Sequence, residues 1–292
     1  MPALLLVSPG PLAGKTAVAV GLAQGLRRRG QPSVLSRLPG DDHAEADTAL
    51  FATLLRSSTD SSDGIRIIES PAGDPSASRD ANPEALVLVV ADGSRSLSTV
   101  LEYCRALGDR FAGLVLNKVP PKRAAALRID ARTAGVNLVA VVPEDRLLAA
   151  PVLRDVATAL SASVEHFNNG TGLQPLDRPV IATISADPAQ SYFAHYDASA
   201  VIVRSDKPDL QLAALNAGAT CLIVTGGLPM LSYVLDRAEE DDIPLLRTGL
   251  DTIATVKAIE DLFAADPFQG GEAKVSRIAE LLSEVDAVSL AG

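Results

Sequence analysis

The stretch Ser8-Pro9-Gly10-Pro11-Leu12-Ala13-Gly14-Lys15-Thr16 constrains this chain more than any other. An apolar run, Ala3 to Val7, enters it, and an amphipathic segment, Thr16 to Arg29, leaves it and stops at Gly30. The order is strand, glycine-containing loop, helix, with Gly14-Lys15-Thr16 at the helix start. Free backbone N–H groups and the positive end of the helix dipole meet there, so phosphate is the natural guest. Gly10, Gly14, Lys15 and Thr16 are the candidates for holding it. Lys15 reaches toward terminal phosphates, and the Thr16 hydroxyl is placed for magnesium. The pattern G-x-x-x-x-G-K-T puts its first glycine at position 9, where this chain has proline, and Gly10 comes one place late. Pro9 and Pro11 each lack an N–H that a phosphate nest uses. The residues alone leave two outcomes: a loop that grips nucleotide with fewer donors, or one that keeps the architecture without the ligand.

Downstream, strand and helix signals alternate. Ser33 to Leu38 reads as a strand and Arg37 to Asp42 as a loop, followed by a helix with Ala46, Ala49, Leu50, Thr53 and Leu54 on one face. Ser57 to Gly64 is a polar turn, and Ile65 to Ile68 a strand that delivers Glu69. Asp74 to Pro83 reads as loop. Leu86 to Val90 is near-continuously apolar, the mark of a parallel strand covered on both faces. Further strands are expected at Gly113–Leu116 and Leu138–Val142, with helices at Ser96–Leu107, Lys122–Ala134 and Val152–Leu160. Such alternation implies βαβ units with right-handed crossovers.

His166 to Arg178 reads as a linker, and the alternation then restarts. Val180–Ile184, Ala200–Val203, Cys221–Val224 and Pro244–Leu246 are the expected strands. Pro208–Ala217, Met230–Glu240, Thr252–Phe263 and Glu272–Val285 are the expected helices. The expectation is therefore two α/β domains, 1–165 and 179–292, joined by a linker over 166–178.

Charge narrows the function. With 36 acidic against 26 basic residues the net charge is −10, which leaves no broad basic face for a nucleic-acid backbone. No apolar run approaches a membrane span, and no basic segment precedes the first apolar run as in a signal peptide. Cys104 and Cys221 stand far apart in no metal or redox spacing, which fits a cytoplasmic setting.

Glu69, at the carboxyl end of a strand, can hold magnesium directly or through water, or serve as a capping or surface glutamate. Asp47 is a second candidate ligand, with Asp41 and Asp42 as competitors. Asn117 ends a strand where α/β sheets gather their ligands, or simply makes a turn. Thr225-Gly226-Gly227 also follows a buried strand, where two glycines allow close approach to a ligand or only a tight turn. No Ser-His-Asp or Cys-His arrangement supplies a nucleophile.

These residues carry two resemblances. Gly14-Lys15-Thr16, Ile67-Ile68-Glu69 with Ala72-Gly73, Gly113 to Val119 and Val142 to Pro151 resemble dethiobiotin synthetase. They are more similar still to the N-terminal region of long bacterial phosphotransacetylases. Val142 to Pro151 is also similar to a run in the cobyrinic acid amidases. The resemblance implies a P-loop NTPase-like, mostly parallel sheet with helices on both faces. It further implies Glu69 and Asp47 as magnesium ligands beside Thr16, and Asn117 as the reader of adenine. The second half resembles the DRTGG domain through Asp206-Lys207, Ala213-Ala214-Leu215 and Thr225-Gly226-Gly227, with Lys207 where that signature has arginine. This implies a smaller α/β regulatory module whose Asp206, Lys207, Thr225, Gly226 and Gly227 line a ligand site or an interface.

The expected function is thus an adenine-nucleotide-binding regulatory protein, taking ATP or ADP with Mg2+. It is expected to form a homodimer and to have a metabolic enzyme as partner. Neither phosphotransacetylase nor dethiobiotin synthetase activity is expected, since the acetyltransferase domain has no counterpart here. The dethiobiotin substrate loop has also become Glu69-Ser70-Pro71-Ala72-Gly73, and Arg37 stands near the place of a substrate-contacting lysine. The alternatives are an ATP-dependent ligase, or a weak ATPase, related to dethiobiotin synthetase and the amidases, and a scaffold with a vestigial loop.

Overall fold

In a computed structural model, the chain is described for residues 1–55, 64–167, 171–182, 193, 195, 200–265 and 268–292. It divides into two compact units, Met1–Leu148 with Glu272–Gly292, and Ala149–Gly271. Most of the turn expected at Ser57–Gly64, and the end of the strand expected at Val180–Ile184, lie outside the described residues.

The first unit is built on six parallel strands: β1 (Ala3–Val7), β2 (Ser33–Arg37), β3 (Ile65–Glu69), β4 (Leu86–Asp92), β5 (Phe111–Val119) and β6 (Leu138–Pro143). Their order is β2-β3-β1-β4-β5-β6. Strand β1 is buried along its whole length because both faces are covered. Ala3, Leu5 and Val7 join a core with Val100, Cys104 and Leu127 from α4 (Leu97–Arg105) and α5 (Ala124–Thr133). Leu4 and Leu6, equally buried, alternate to the other face, the geometry a two-sided sheet demands. Helix α1 (Lys15–Arg28) packs along β1, β2 and β3. Because β1 lies between β3 and β4, the carboxyl ends of these strands open the crevice where such sheets bind ligands.

Three further helices precede the second unit: α2 (Ala44–Leu55), the short α3 (Ser76–Asp80) inside a segment expected to be loop, and α6 (Arg146–Ala149). The second unit contains α7 (Leu153–Ala159), β7 (Ser163–His166), β8 (Pro179–Ile181), β9 (Ala200–Arg204), α8 (Pro208–Asn216), β10 (Leu222–Thr225), α9 (Ser232–Glu240), β11 (Leu245–Arg247) and α10 (Thr252–Ala265). Its sheet runs β7-β11-β10-β9-β8, parallel except for β7, which is antiparallel to β11. Strand β7 escaped the sequence reading because it is mostly exposed, lies at an edge and lacks an apolar run. Leu153, Val156 and Leu160 pack with Ile202, Ile223 and Leu246. The expected boundaries at 165 and 179 therefore differ from the observed division, since α7, β7 and the 171–178 segment belong to the second unit.

The C-terminus departs further. Helices α11 (Glu272–Leu281) and α12 (Ala287–Ala291) return to the first unit, α11 against α1 and α12 over β1, β4 and β5. Gly21 makes this return geometrically feasible. A Cβ there would lie 2.9 Å from Ile278 Cγ1 and from Leu282 Cδ1, so only glycine lets the two helices approach. Arg277 Nε also donates to Asp145 Oδ2 at 2.8 Å. Cys104 and Cys221 are both buried, and burial pushes each thiol up to about 12, so neither is an available thiolate at neutral pH. Among the described residues no helix is long and apolar enough to cross a membrane.

Two glycines of α1 provide a paired test. Gly21→Leu should destabilise the protein by about 1–3 kcal/mol through overpacking against Ile278 and Leu282. Gly25→Ala meets nothing within 4 Å and should stabilise it by roughly 0.5–1 kcal/mol. Urea denaturation of both variants measures this, and equal effects at the two positions would contradict the helix pairing.

Candidate functional site

The residues after β1 form a tight loop on their own polar groups. Ser8 Oγ donates to Gly10 O at 2.8 Å and accepts from Lys15 Nζ at 2.9 Å. The lysine thus folds back over the loop instead of extending into solvent. It is buried, and burial lowers its pKa, an effect the nearby Glu69 charge opposes. Gly14 is the N-cap of α1 with φ 85°, and no side chain caps the helix start, which leaves backbone N–H groups open toward the crevice.

Gly14 is pressed from outside. Asn117 Nδ2 donates to Ala13 O at 2.9 Å, and a Cβ at Gly14 would come within 2.2 Å of that nitrogen. Lys118, in the left-handed region at φ 53°, donates from Nζ to Leu12 O at 2.8 Å. The carboxyl end of β5 therefore braces the Ser8–Thr16 loop. Asn117 stands at the expected strand end, with its amide nitrogen already engaged by the loop.

Gly10 is not in the left-handed region. A Cβ there would lie 1.9 Å from Nη2 of Arg95, the far end of an exposed side chain. The Arg95 guanidinium, from the turn after β4, thus rests over the loop. Sequence reasoning missed both Arg95 and Lys118. The available signal was that each lies just at or beyond the carboxyl end of a strand neighbouring the crevice.

On the other side of Lys15 the structure brings together the three residues expected to hold magnesium. Thr16 Oγ1 lies 3.3 Å from Asp47 Oδ1 and 3.1 Å from Glu69 Oε1. Asp41 and Arg37 join them. The Arg37 side chain, 1% exposed, pairs with Asp41 Oδ2, reaches Asp47 Oδ2 at 3.2 Å and lies 3.9 Å from Glu69 Oε1. It also donates from Nη1 to Leu38 O at 2.5 Å. The face expected for α2 is corrected here. Ala46, Ala49 and Thr53 are exposed, whereas Asp47 and Phe51 are buried. An apolar-periodicity reading turned the helix the wrong way because a carboxylate occupies an inward position.

Glu69 Oε2 is buried without a hydrogen-bond partner. Burial first, and the Asp47 charge second, raise the Glu69 pKa from 4.5 to about 7. A hydroxyl and two carboxylates, one with an unused oxygen, are the hard-oxygen donor set that magnesium takes. The residues present therefore fit the ion.

In the second unit the two halves of the expected ligand or interface set meet at the carboxyl ends of neighbouring strands. Ser205 N donates to Thr225 O at 2.8 Å, joining Asp206-Lys207 to Thr225-Gly226-Gly227. Asp206 is paired with Arg204, its Oδ2 2.6 Å from Nη2. Gly226 and Gly227 adopt φ 92° and 73°, so both must be glycine. Their N–H groups donate to Leu250 O and Thr248 O, so these glycines fasten the β10 end to the β11 end. Buried Thr225 has its Oγ1 3.2 Å from Thr252 Oγ1.

Residues 155–262 match the family model of the DRTGG domain, so the second unit carries a DRTGG domain. Among solved structures, the chain is similar to the CBS and DRTGG domains of the regulatory region of Clostridium perfringens pyrophosphatase, complexed with its activator diadenosine tetraphosphate. The match has 17% identity, covers 59% of this chain and 71% of that one, and has a TM-score of 0.35. A likeness of that size carries no argument about fold or ligand.

The raised Glu69 pKa gives a pH signature. A carboxyl that binds its proton more tightly when folded favours the folded state at low pH. That contribution is complete below about 4.5 and is lost as pH rises through about 7. The stability of the wild type relative to Glu69→Gln should therefore fall by roughly 3 kcal/mol between pH 4.5 and 8 in magnesium-free buffer. Denaturation curves across that range measure it, and parallel profiles for the two proteins would contradict the assignment.

Proposed function

We propose that the first unit binds an adenine nucleotide through the Ser8–Thr16 loop and that the chain acts as a nucleotide-responsive regulatory protein. The observation that carries the reading is the conjunction at the start of α1. An uncapped helix N-terminus, a lysine folded over the loop, and a hydroxyl between two carboxylates converge within one crevice. Open N–H groups and Lys15 would hold the phosphates. Thr16, Asp47 and Glu69 would hold magnesium, which when bound neutralises phosphate charge. With its amide nitrogen committed to Ala13, Asn117 has its carbonyl oxygen left to accept from the adenine amino group. Guanine offers an oxygen in the corresponding place and is disfavoured.

The role of the DRTGG domain in this reading is regulatory, and the Asp206-Lys207 and Thr225-Gly226-Gly227 corner is its proposed ligand or interface site. Self-association as a homodimer, and a metabolic enzyme as partner, belong to the same proposal.

Calorimetry of the full chain tests it. ATP and ADP with magnesium should bind in the micromolar to millimolar range, because Pro9 and Pro11 remove donors. Lys15→Ala should abolish binding, and Asn117→Ala should reduce the preference for ATP over GTP. Absence of heat and of competition at millimolar nucleotide would overturn the reading.

A further inference from the structure

Arg95 has no structural reason to lie where it does. It is exposed, and among the described residues its guanidinium makes no hydrogen bond or ion pair; its backbone N donates to Asp92 O at 3.1 Å. The turn that carries it is nevertheless rigidly built. Gly93 N donates to Asn117 O at 2.6 Å, and a Cβ on Gly93 would lie 2.6 Å from Val119 Cγ2. Asp92 Oδ1 accepts from Ser94 N at 2.8 Å, and Arg123 Nη1 donates to Gly93 O at 3.0 Å. A turn fixed in its backbone thus carries an unpaired cation whose guanidinium lies over Gly10.

The place it covers is informative. Gly10 is bonded to Ser8, and Ser8 is bonded to the Lys15 ammonium, so guanidinium and ammonium converge on one three-residue segment. Lysine at this position of a phosphate loop serves the terminal phosphates. The flanking residues Pro9 and Pro11 are the ones that cannot donate. A guanidinium offers five N–H groups in a planar fork suited to phosphate oxygens.

We propose that Arg95 is a phosphate-binding residue that contacts the terminal phosphate of a nucleoside triphosphate and makes the loop prefer tri- over diphosphate. Its fork supplies donors at the loop segment where proline has removed them. The inference rests on nucleotide binding at this loop and adds the residue that reads the phosphate chain length.

The test is calorimetry of the full chain with ATP and with ADP, each with magnesium, on the wild type and Arg95→Ala. Arg95 is exposed and its removal should leave thermal stability unchanged. Arg95→Ala should weaken ATP binding by about tenfold to a hundredfold, the range of a lost charge-assisted contact, while ADP changes less than about twofold. A wild type that binds ATP and ADP, with the ratio unaltered in Arg95→Ala, removes the role of Arg95 and leaves nucleotide binding standing. A wild type that binds no nucleotide overturns both readings together.

Discussion

A buried arginine among carboxylates governs the layout of the first unit. Arg37 ends β2, its side chain is 1% exposed, and it reaches Asp41, Asp47 and Glu69. A guanidinium in that position is tolerable only if its partners are held close, because removing one partner from a buried ion pair costs several kcal/mol. The requirement holds α2 with Asp47 inward, while the parallel ladder of β2 and β3 sets Arg37 beside Glu69. Thr16, in turn, is drawn between Asp47 and Glu69 at the head of α1. One charge cluster therefore ties three connections to the start of α1 and leaves one Glu69 oxygen unused.

Much of the first unit was legible because its signals were local. The apolar strands β1 and β4 and the stop of α1 near Gly30 depend on period and punctuation, and both survive into the fold. The convergence of Thr16, Asp47 and Glu69 was legible from strand ends and resemblance. What was not legible was set by distant partners. Asp47 faces inward because of Arg37 and Thr16, which no helical period can reveal. Gly21 is explained only by Ile278 and Leu282, some 250 residues later, so the return of the C-terminal helices to the first unit could not be read locally. Gly10 looked like a displaced motif glycine, and its backbone turns out to need no left-handed conformation; the Arg95 guanidinium lies over it.

The second unit illustrates the converse. Its strands and helices were readable from alternation, and the DRTGG match over residues 155–262 agrees with the residues that carried the resemblance. Its edge strand β7 was not readable, because it is short, polar and stabilised by pairing with β11. The paired glycines at 226 and 227 have a definite physical task. Both need positive φ, and both spend their N–H groups on the β11 connection, so the two parts of the signature are held as one corner. Whatever that corner recognises must use side chains and carbonyl groups instead of these two amides.

In the proposed function, nucleotide phosphates enter the loop at the head of α1. Hydrogen–deuterium exchange of the full chain, with and without saturating ADP and magnesium, tests it most directly. Exchange should slow in peptides covering Ser8 to Thr16, where the open N–H groups of the helix start would become bonded. Unchanged exchange in that segment, with protection confined to peptides covering Arg204 to Gly227, would place the nucleotide in the second unit and contradict the account.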